Sequence, residues 1–145
     1  MFTAKDKTFA LIVGVIVLLD QAAKFLASRL PLDTEVPIIG SFFSLTHVRN
    51  TGAAFGIFHN QNIILIVMMI LVLGAVAWYY TRIPKDQLPF VALICGGALG
   101  NLIDRIYLGS VIDFIHLSFW PAFNVADIAV TIGAILLVYR MWKEK

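Results

Sequence analysis

The sequence has few charged residues and a single cysteine. Asp, Glu, Lys and Arg make up 14% of its 145 residues, against about 25% in an average soluble domain. Cys95 excludes an intrachain disulfide, and its apolar neighbours predict a small buried side chain. The histidines His47, His59 and His116 lack the HxxxH or HExxH spacing of a zinc site, so neither a metal nor another cofactor is expected. The net charge of +2, without a basic run, argues against a nucleic-acid partner.

The chain is instead rich in long hydrophobic segments. Hydrophobic residues make up 60% of the sequence, and its mean hydropathy is +0.88. Four segments each have about 20 residues, the length that a helix needs to cross the hydrocarbon of a bilayer, and the prolines lie around the connections. The sequence therefore predicts one all-α integral membrane domain over residues 1–145. Its four transmembrane helices are expected at Phe9–Ser28, Ile63–Tyr80, Leu88–Ile106 and Phe123–Trp142.

The two connections on one side of the membrane are long enough to hold structure, whereas the connection on the other side is a short turn. Phe42–Arg49 and Val111–Leu117 are rich in aromatic and β-branched residues, which favours strands. A small β-rich element outside the membrane is therefore expected. Gly52–Phe58, small and then apolar, predicts either a short interfacial helix or a loop lying on the bilayer.

The distribution of Lys and Arg predicts the orientation in the membrane. If both termini are cytoplasmic, the inner side carries Lys5, Lys7, Arg82, Lys85, Arg140, Lys143 and Lys145, and the outer side carries Lys24, Arg29, Arg49 and Arg105. The excess of basic residues inside agrees with the positive-inside rule. A multi-pass protein with both termini in the cytoplasm is therefore expected.

Polar residues of the apolar segments collect at one depth, near the outer ends of the predicted helices. The residues at this depth are Asp20, Lys24, Asn101, Asp104, Arg105, Asn124 and Asp127, with Asn50 and Asp113 in the outer connections. At a spacing of four residues, Asp20 and Lys24 share a helix face and predict an ion pair that can position a neighbouring segment. Asp104 is expected to neutralise the charge of its neighbour Arg105.

Asp113 and Asp127 are the candidates for chemistry. A carboxylate at the edge of lipid is costly to keep ionised, so it indicates function. Two carboxylates that meet can share one proton and activate water, which makes a membrane protease the leading hypothesis. The plainer interpretations are a solvated loop acid for Asp113 and a helix N-terminal charge for Asp127. Ser44, Ser110 and Ser118 lack a Gly-x-Ser-x-Gly setting or a nearby Lys, which argues against a serine mechanism.

Two other functions fit the same composition. A small proton-coupled transporter or channel subunit would also use carboxylates, although such groups more often lie at the midplane along a path. A structural subunit or chaperone could instead bind a partner span through Gly96 and Gly100. This GxxxG pair predicts close helix packing.

Five motifs in order give the chain a resemblance to a known family. They are Asp20–Lys24, Val48–Phe55, Gly96–Arg105, Val111–Phe114 and Phe123–Asp127. Each motif alone is weak, but their order and spacing over essentially the whole chain resemble lipoprotein signal peptidase, also called signal peptidase II. This is a family of aspartic proteases of the bacterial inner membrane.

The resemblance implies an intramembrane aspartic endopeptidase. The catalytic aspartates of the family fall on Asp113 and Asp127, and its supporting residues fall on Asp20, Lys24, Asn50, Asn101, Arg105 and Asn124. The implied substrates are diacylglyceryl-modified prolipoproteins, cut just before the lipidated cysteine, at a site that meets membrane lipid. The family uses no metal and is the target of globomycin, and no obligate protein partner is inferred. Residues 50–58 are expected to act as a lid over the site.

Overall fold

The computed structural model describes residues 3–52 and 58–143. Within these ranges the elements follow in the order α1 (Ala4–Ala27), β1 (Glu35–Ile39), β2 (Phe43–Asn50), α2 (Asn62–Tyr79), α3 (Leu88–Leu108), β3 (Val111–Leu117), β4 (Trp120–Phe123) and α4 (Val125–Lys143). Each of the four helices is long and apolar enough to cross a membrane. The predicted fold class, four membrane helices with a small β-rich element, is confirmed.

Side-chain caps, and not hydrophobicity, decide where the first and last helices begin. At the start of α1, Thr3 Oγ1 accepts a hydrogen bond from the Asp6 amide at 3.3 Å, and Asp6 accepts one from the Thr3 amide at 2.8 Å. This reciprocal capping box starts α1 at Ala4, ahead of the apolar run that begins at Phe9. The last helix begins later than Phe123, because Phe123 belongs to β4.

The helix α3 lies at the centre of the bundle, and glycine lets its neighbours approach. A Cβ atom on Gly96 would lie 2.8 Å from Cβ of Ile16, and one on Gly100 would lie 2.6 Å from Oδ2 of Asp20. Both glycines therefore pack against α1, as the GxxxG spacing predicts. The idea that this pair binds a partner span is wrong, because the chain's own first helix covers it.

The four strands form one antiparallel sheet in the order β1-β2-β3-β4. Its two central strands come from different connections, so pairing β2 with β3 joins the two halves of the chain. In this pair Val48 lies opposite Asp113 and Asn50 lies opposite Val111. Both strands predicted from the sequence are confirmed, whereas the short edge strands β1 and β4 were not predicted. Each edge strand contains a proline, which edge positions tolerate.

The apolar core lies at the end of the bundle away from the sheet. It is built on the buried side chains of Ile83, Leu88, Val91 and Cys95, so Cys95 is the small buried residue that the sequence predicts. The lid expected at residues 50–58, and the interfacial helix or loop expected at Gly52–Phe58, fall mostly on residues 53–57, which lie outside the described residues.

Candidate active site

Asp127 is held at the beginning of α4 by a second capping box. The Asn124 Oδ1 accepts a hydrogen bond from the Asp127 amide at 2.9 Å, and Asp127 Oδ2 accepts one from the Asn124 amide at 3.1 Å. Each residue thereby satisfies a backbone amide that a helix N-terminus leaves free. Asp127 is thus the helix N-terminal charge of the plainer interpretation, and the same bonds fix the direction of its carboxylate.

The helix α1 contributes a second cap to α4. Asp20 Oδ1 accepts a hydrogen bond from the amide of Ala126 at 2.8 Å, while its Oδ2 lies 2.7 Å from Lys24 Nζ. The predicted ion pair of Asp20 and Lys24 is therefore confirmed. It also positions a neighbouring segment, because Asp20 carries the N-terminus of α4 on its other oxygen.

Lys24 is almost fully buried, and three acceptors surround its ammonium group. They are Asp20 Oδ2 at 2.7 Å, Asn101 Oδ1 at 2.9 Å and Asp104 Oδ2 at 3.0 Å. An ammonium group has three donors and no acceptor, so this arrangement satisfies it completely. The two carboxylates offset its charge, which is what a buried cation requires.

Lys24 fixes the orientation of the Asn101 side chain. Because an ammonium group only donates, the oxygen of the Asn101 amide must face Lys24. The Asn101 Nδ2 then points the other way and donates to Asp127 Oδ1 at 2.8 Å. The positive charge on α1 is thus linked through one amide to the carboxylate on α4.

Asp113 reaches the site from the sheet. Gly109 ends α3 in a left-handed conformation, with φ of 72°, which glycine adopts without steric cost. The chain turns there and enters β3, whose third residue is Asp113. Asp113 Oδ1 accepts a hydrogen bond from Asn124 Nδ2 at 2.7 Å, and its Oδ2 accepts one from Asn50 Nδ2 at 2.9 Å.

Each of the four carboxylate oxygens of Asp113 and Asp127 therefore accepts one hydrogen bond from an amide. Asn124 contacts both aspartates, since its side chain donates to Asp113 and its backbone amide to Asp127. Asp113 is buried rather than a solvated loop acid. Burial, and next the charge of Asp127, raise the pKa of Asp113 to about 7, against the opposing hydrogen bonds from Asn50 and Asn124.

Arg105 and Asp104 do not neutralise each other as the sequence suggested. Asp104 pairs with Lys24 and accepts a hydrogen bond from the Ile112 amide at 3.1 Å. Arg105 instead donates through Nη2 to the carbonyl oxygen of Gly52 and through Nη1 to the Asn62 Oδ1 at 3.2 Å. Consecutive residues of a helix point about 100° apart, so the two side chains reach different neighbours.

The site opens into a cavity of about 820 Å³. Its polar end is lined by Asn50, Asn101, Arg105, Asp113 and Asp127. Its apolar walls come from three helices and one strand: Leu65, Met68, Met69 and Val72 from α2, Ile94 and Ala98 from α3, Val130 from α4, and Trp120, Pro121, Ala122 and Phe123 from β4. A pair of carboxylates at the end of an apolar cleft suits hydrolysis of a substrate that is largely hydrophobic.

A second cluster of polar residues lies on the sheet. Ser44 Oγ and the Glu35 Oε1 lie 3.3 Å and 3.2 Å from His116 Nδ1, and Ser44 also bonds Glu35. No motif in the sequence indicated this group. A catalytic triad uses both ring nitrogens of histidine, one for serine and one for the acid. Here Ser44 and Glu35 both contact Nδ1, and Ser44 is buried, so these residues do not form a triad. Within the described ranges His116 and Asp113 share no partner, since Asp113 bonds Asn50 and Asn124, which agrees with the alternation of side chains along β3.

Three of the residues that build the site were not selected from the sequence. Gln21 donates through Nε2 to Asp104 Oδ1 at 2.9 Å and to the carbonyl oxygen of Gly100 at 3.1 Å. Asp104 and Asn62 also belong to the site, although the sequence did not indicate them as site residues. Gln21 could have been recognised from the sequence, because it is a polar residue inside an apolar run and such a residue needs a hydrogen-bonding partner within the bundle.

The structure brings the eight predicted site residues together. Hydrogen bonds and one ion pair link Asp20, Lys24, Asn101, Asp127, Asn124, Asp113 and Asn50 in one continuous network, and Arg105 lines the same cavity. Among the residues that the structure describes, no three His, Cys, Asp or Glu side chains are grouped as metal ligands.

Comparison with known proteins agrees with this architecture. A family model described as signal peptidase (SPase) II matches residues 12–143. A lipoprotein signal peptidase of Caldanaerobacter subterraneus is 44% identical over 135 residues, covering 90% of this chain and 92% of that protein. One from Streptococcus pyogenes serotype M5 is 41% identical over 148 residues, covering 97% of each chain.

A solved structure agrees as well. It is titled as a bacterial membrane enzyme, determined by the in meso method at 2.3 Å resolution. It superposes with a TM-score of 0.89 at 32% sequence identity, and the match covers 95% of this chain and 89% of that one. The chain therefore belongs to the signal peptidase II family and is a membrane protease.

Proposed function

We propose that Asp113 and Asp127 are the catalytic pair of an intramembrane aspartic endopeptidase. The observation that carries this proposal is the hydrogen-bond pattern at the polar end of the cavity. Four amide groups each donate to a different carboxylate oxygen of the pair, and Asn124 bonds both aspartates. Such donors hold two carboxylates in fixed directions at a surface that a substrate can reach.

The pair shares one proton at neutral pH. Two neighbouring carboxylates resist ionising together, which raises the pKa of the pair's second ionisation. A pKa of about 7 for Asp113 agrees with this state. A carboxylate oxygen has two acceptor positions, and amide donors occupy one on each oxygen. The shared proton therefore lies on a remaining position, where it can face the cavity.

Hydrolysis then follows in two proton transfers. The ionised carboxylate takes a proton from a water molecule, whose oxygen attacks the carbonyl carbon of the scissile peptide bond. The protonated carboxyl group donates a hydrogen bond to the carbonyl oxygen as negative charge develops there. When the tetrahedral intermediate collapses, the C–N bond breaks and the leaving amine receives a proton from the pair. The pair ends with the single proton with which it began.

The other polar residues hold the pair and the substrate. Asp20 and Lys24 fix the start of α4 and the amide of Asn101, so they act on Asp127 without touching substrate. Asn50 and Arg105 line the cavity beside the pair. They have the donors needed to hold the backbone of an extended peptide.

The proposed substrates are prolipoproteins whose cysteine already carries a diacylglyceryl group. Relatives at about 40% identity are named lipoprotein signal peptidases, and the apolar walls of the cavity suit an acylated segment. Cleavage just before the lipidated cysteine would release the signal peptide. We place the enzyme in the cytoplasmic (inner) membrane of a bacterium, spanned by α1 to α4, with the sheet outside and both termini in the cytoplasm.

The test uses purified protein in detergent with a diacylated precursor and an unlipidated one. The wild type should cleave only the diacylated precursor, and globomycin should block cleavage. Asp113→Asn and Asp127→Asn should each lower the rate by about 100-fold or more, since each removes a proton-transfer group. Asp33→Asn makes the same chemical change at an exposed position outside the site and should leave the rate unchanged.

Two outcomes would contradict the proposal. Substantial cleavage by either site variant would remove that aspartate from the catalytic pair. Proton or solute flux through the reconstituted protein, without peptide cleavage, would favour the transporter instead.

A further inference from the structure

Asn62 ties the first turn of α2 to the last turn of α3. Its Nδ2 donates to the main-chain oxygen of Arg105 at 3.0 Å, and its Oδ1 accepts from Arg105 Nη1 at 3.2 Å. Both halves of the amide are therefore used by one residue. The Arg105 oxygen is among the last four carbonyls of α3, which lack a partner within the helix. Asn62 thus caps α3 while holding the guanidinium group.

Two hydrogen bonds hold the Arg105 guanidinium group beside the cavity. Arg105 is 4% exposed, Nη1 is bonded to Asn62 and Nη2 is bonded to the Gly52 carbonyl oxygen. Within the part of the chain that the structure describes, Nε has no hydrogen-bond partner. Arg105 lines the cavity together with Asp113 and Asp127. Nη1 and Nη2 each keep a second N–H beyond these bonds, and a donor that lines a substrate cleft is suited to a carbonyl oxygen of the bound peptide.

The same contact holds one wall of the cleft. Leu65 is the only buried residue of α2, so little packing fixes the outer end of this helix. Leu65, Met68, Met69 and Val72 nevertheless form the α2 side of the cavity. Asn62 lies less than one turn before Leu65. Its hydrogen bonds to Arg105 therefore set the distance between α2 and α3 at the end of the cavity that holds the catalytic pair.

We propose that Asn62 is a positioning residue for substrate binding, acting through Arg105. The inference rests on the proposed function. Asn62 does not bond either catalytic aspartate, so its loss should weaken the binding of precursor while leaving the proton chemistry intact. The effect should therefore appear in KM, with kcat and the pH profile of kcat nearly unchanged.

The test compares the steady-state kinetics of full-length variants on the diacylated precursor. Asn62→Leu removes both hydrogen bonds at similar volume and should raise KM by about tenfold. Asn62→Asp keeps the acceptor for Arg105 Nη1 and should raise KM less. The matched control is Gln61→Leu, which makes the same change at the adjacent exposed residue, whose side chain makes no cap. Its kinetics should match the wild type.

A double-mutant cycle separates positioning from stability. If Asn62 acts through Arg105, Asn62→Leu should have little further effect on KM in an Arg105→Met background. A purely structural role predicts independent effects that multiply, together with a fall in kcat. The inference would be overturned if the effects of the two substitutions on KM multiplied, or if Asn62→Leu had the same kinetics as Gln61→Leu. In either case, cleavage by the wild type would still support the proposed function. Absence of cleavage by the wild type would instead overturn the proposed function and this inference with it.

Discussion

At the scale of single residues, the charge of Lys24 is tolerated inside this membrane protein because each of its three hydrogen-bond donors has a partner. Lys24 meets three acceptors, two of them carboxylates. A buried charge without such partners is strongly unfavourable. These partners also hold the groups around Asp113 and Asp127. Asp20 accepts a hydrogen bond from the Ala126 amide, Asp104 accepts one from the Ile112 amide, and Asn101 donates to Asp127. The stability of the charge and the geometry of the site thus depend on the same bonds.

The hydrogen bond from Asn50 gives a test of the catalytic role of Asp113. This bond favours the ionised carboxylate, so Asn50→Leu should raise the pKa of Asp113 above its present value of about 7. In the proposed mechanism the pair works with one proton, so activity should be lost at alkaline pH as that proton leaves. The alkaline limb of the pH profile of kcat/KM should therefore move to higher pH.

Measuring the pH profile of kcat/KM from pH 5 to about 9 checks this shift, because the raised pKa of Asp113 lies within that range. Thr34→Leu, a polar-to-leucine change in the outer connection, serves as the control and should leave the limb in place. A limb that moves to lower pH in Asn50→Leu would show that Asp113 does not hold the titrating proton.

At the scale of elements, the position of Asp127 depends on how closely α4 approaches α3. Gly97 faces the first turn of α4, and a Cβ atom there would collide with the main-chain oxygen of Ala126. The amide of Ala126 is the group that Asp20 caps. The helix contact and the cap therefore fix the same turn, which carries Asp127.

Gly97→Ala should move the start of α4 away from α3 and misplace Asp127. A displacement of about 1 Å at a catalytic group can cost up to about 100-fold in rate, so we expect a loss of about tenfold or more in kcat. Cleavage of the diacylated precursor and the melting temperature in detergent measure the effect. Gly14→Ala is the matched control, because a Cβ atom there meets nothing within 4 Å. Equal activity in the two variants would show that this contact does not position Asp127.

The elements also show which parts of the fold could be predicted. Apolar length predicts that four helices exist, but caps set their starts, as Thr3 and Asn124 demonstrate. The strands β2 and β3 have enough aromatic and β-branched residues to be recognised. The edge strands β1 and β4 are short and contain proline, so only their pairing partners make them strands.

Eight residues of the site were predicted from the sequence, but Gln21 and Asn62 and most of the contacts were not. Polar residues stand out against apolar helices, and the spacing of Asp20 and Lys24 was enough to predict their ion pair. The partner of Asp104 depends on how α1 and α3 are rotated about their axes. Sequence spacing within one helix carries no information on this rotation, so the contact with Lys24 was missed.

At the scale of the whole molecule, the structure strengthens the argument for orientation. Lys24 and Arg105 are 2% and 4% exposed, so they belong to the site and not to the loops. The outer connections then retain only Arg29 and Arg49 as loop cations, against seven basic residues on the other side. The positive-inside rule therefore predicts more firmly that the sheet and the site face outward.

Labelling of single cysteines with a membrane-impermeant maleimide tests this orientation. Cys95→Ala first removes the native thiol, and Phe119→Cys and Lys85→Cys then place one exposed thiol at each end of the bundle. In intact spheroplasts the cysteine at 119 should react and the one at 85 should not, because only the sheet faces outward. Both should react after lysis, which controls for access. Labelling of position 85 alone in intact spheroplasts would reverse the orientation and put the proposed catalytic pair on the cytoplasmic side.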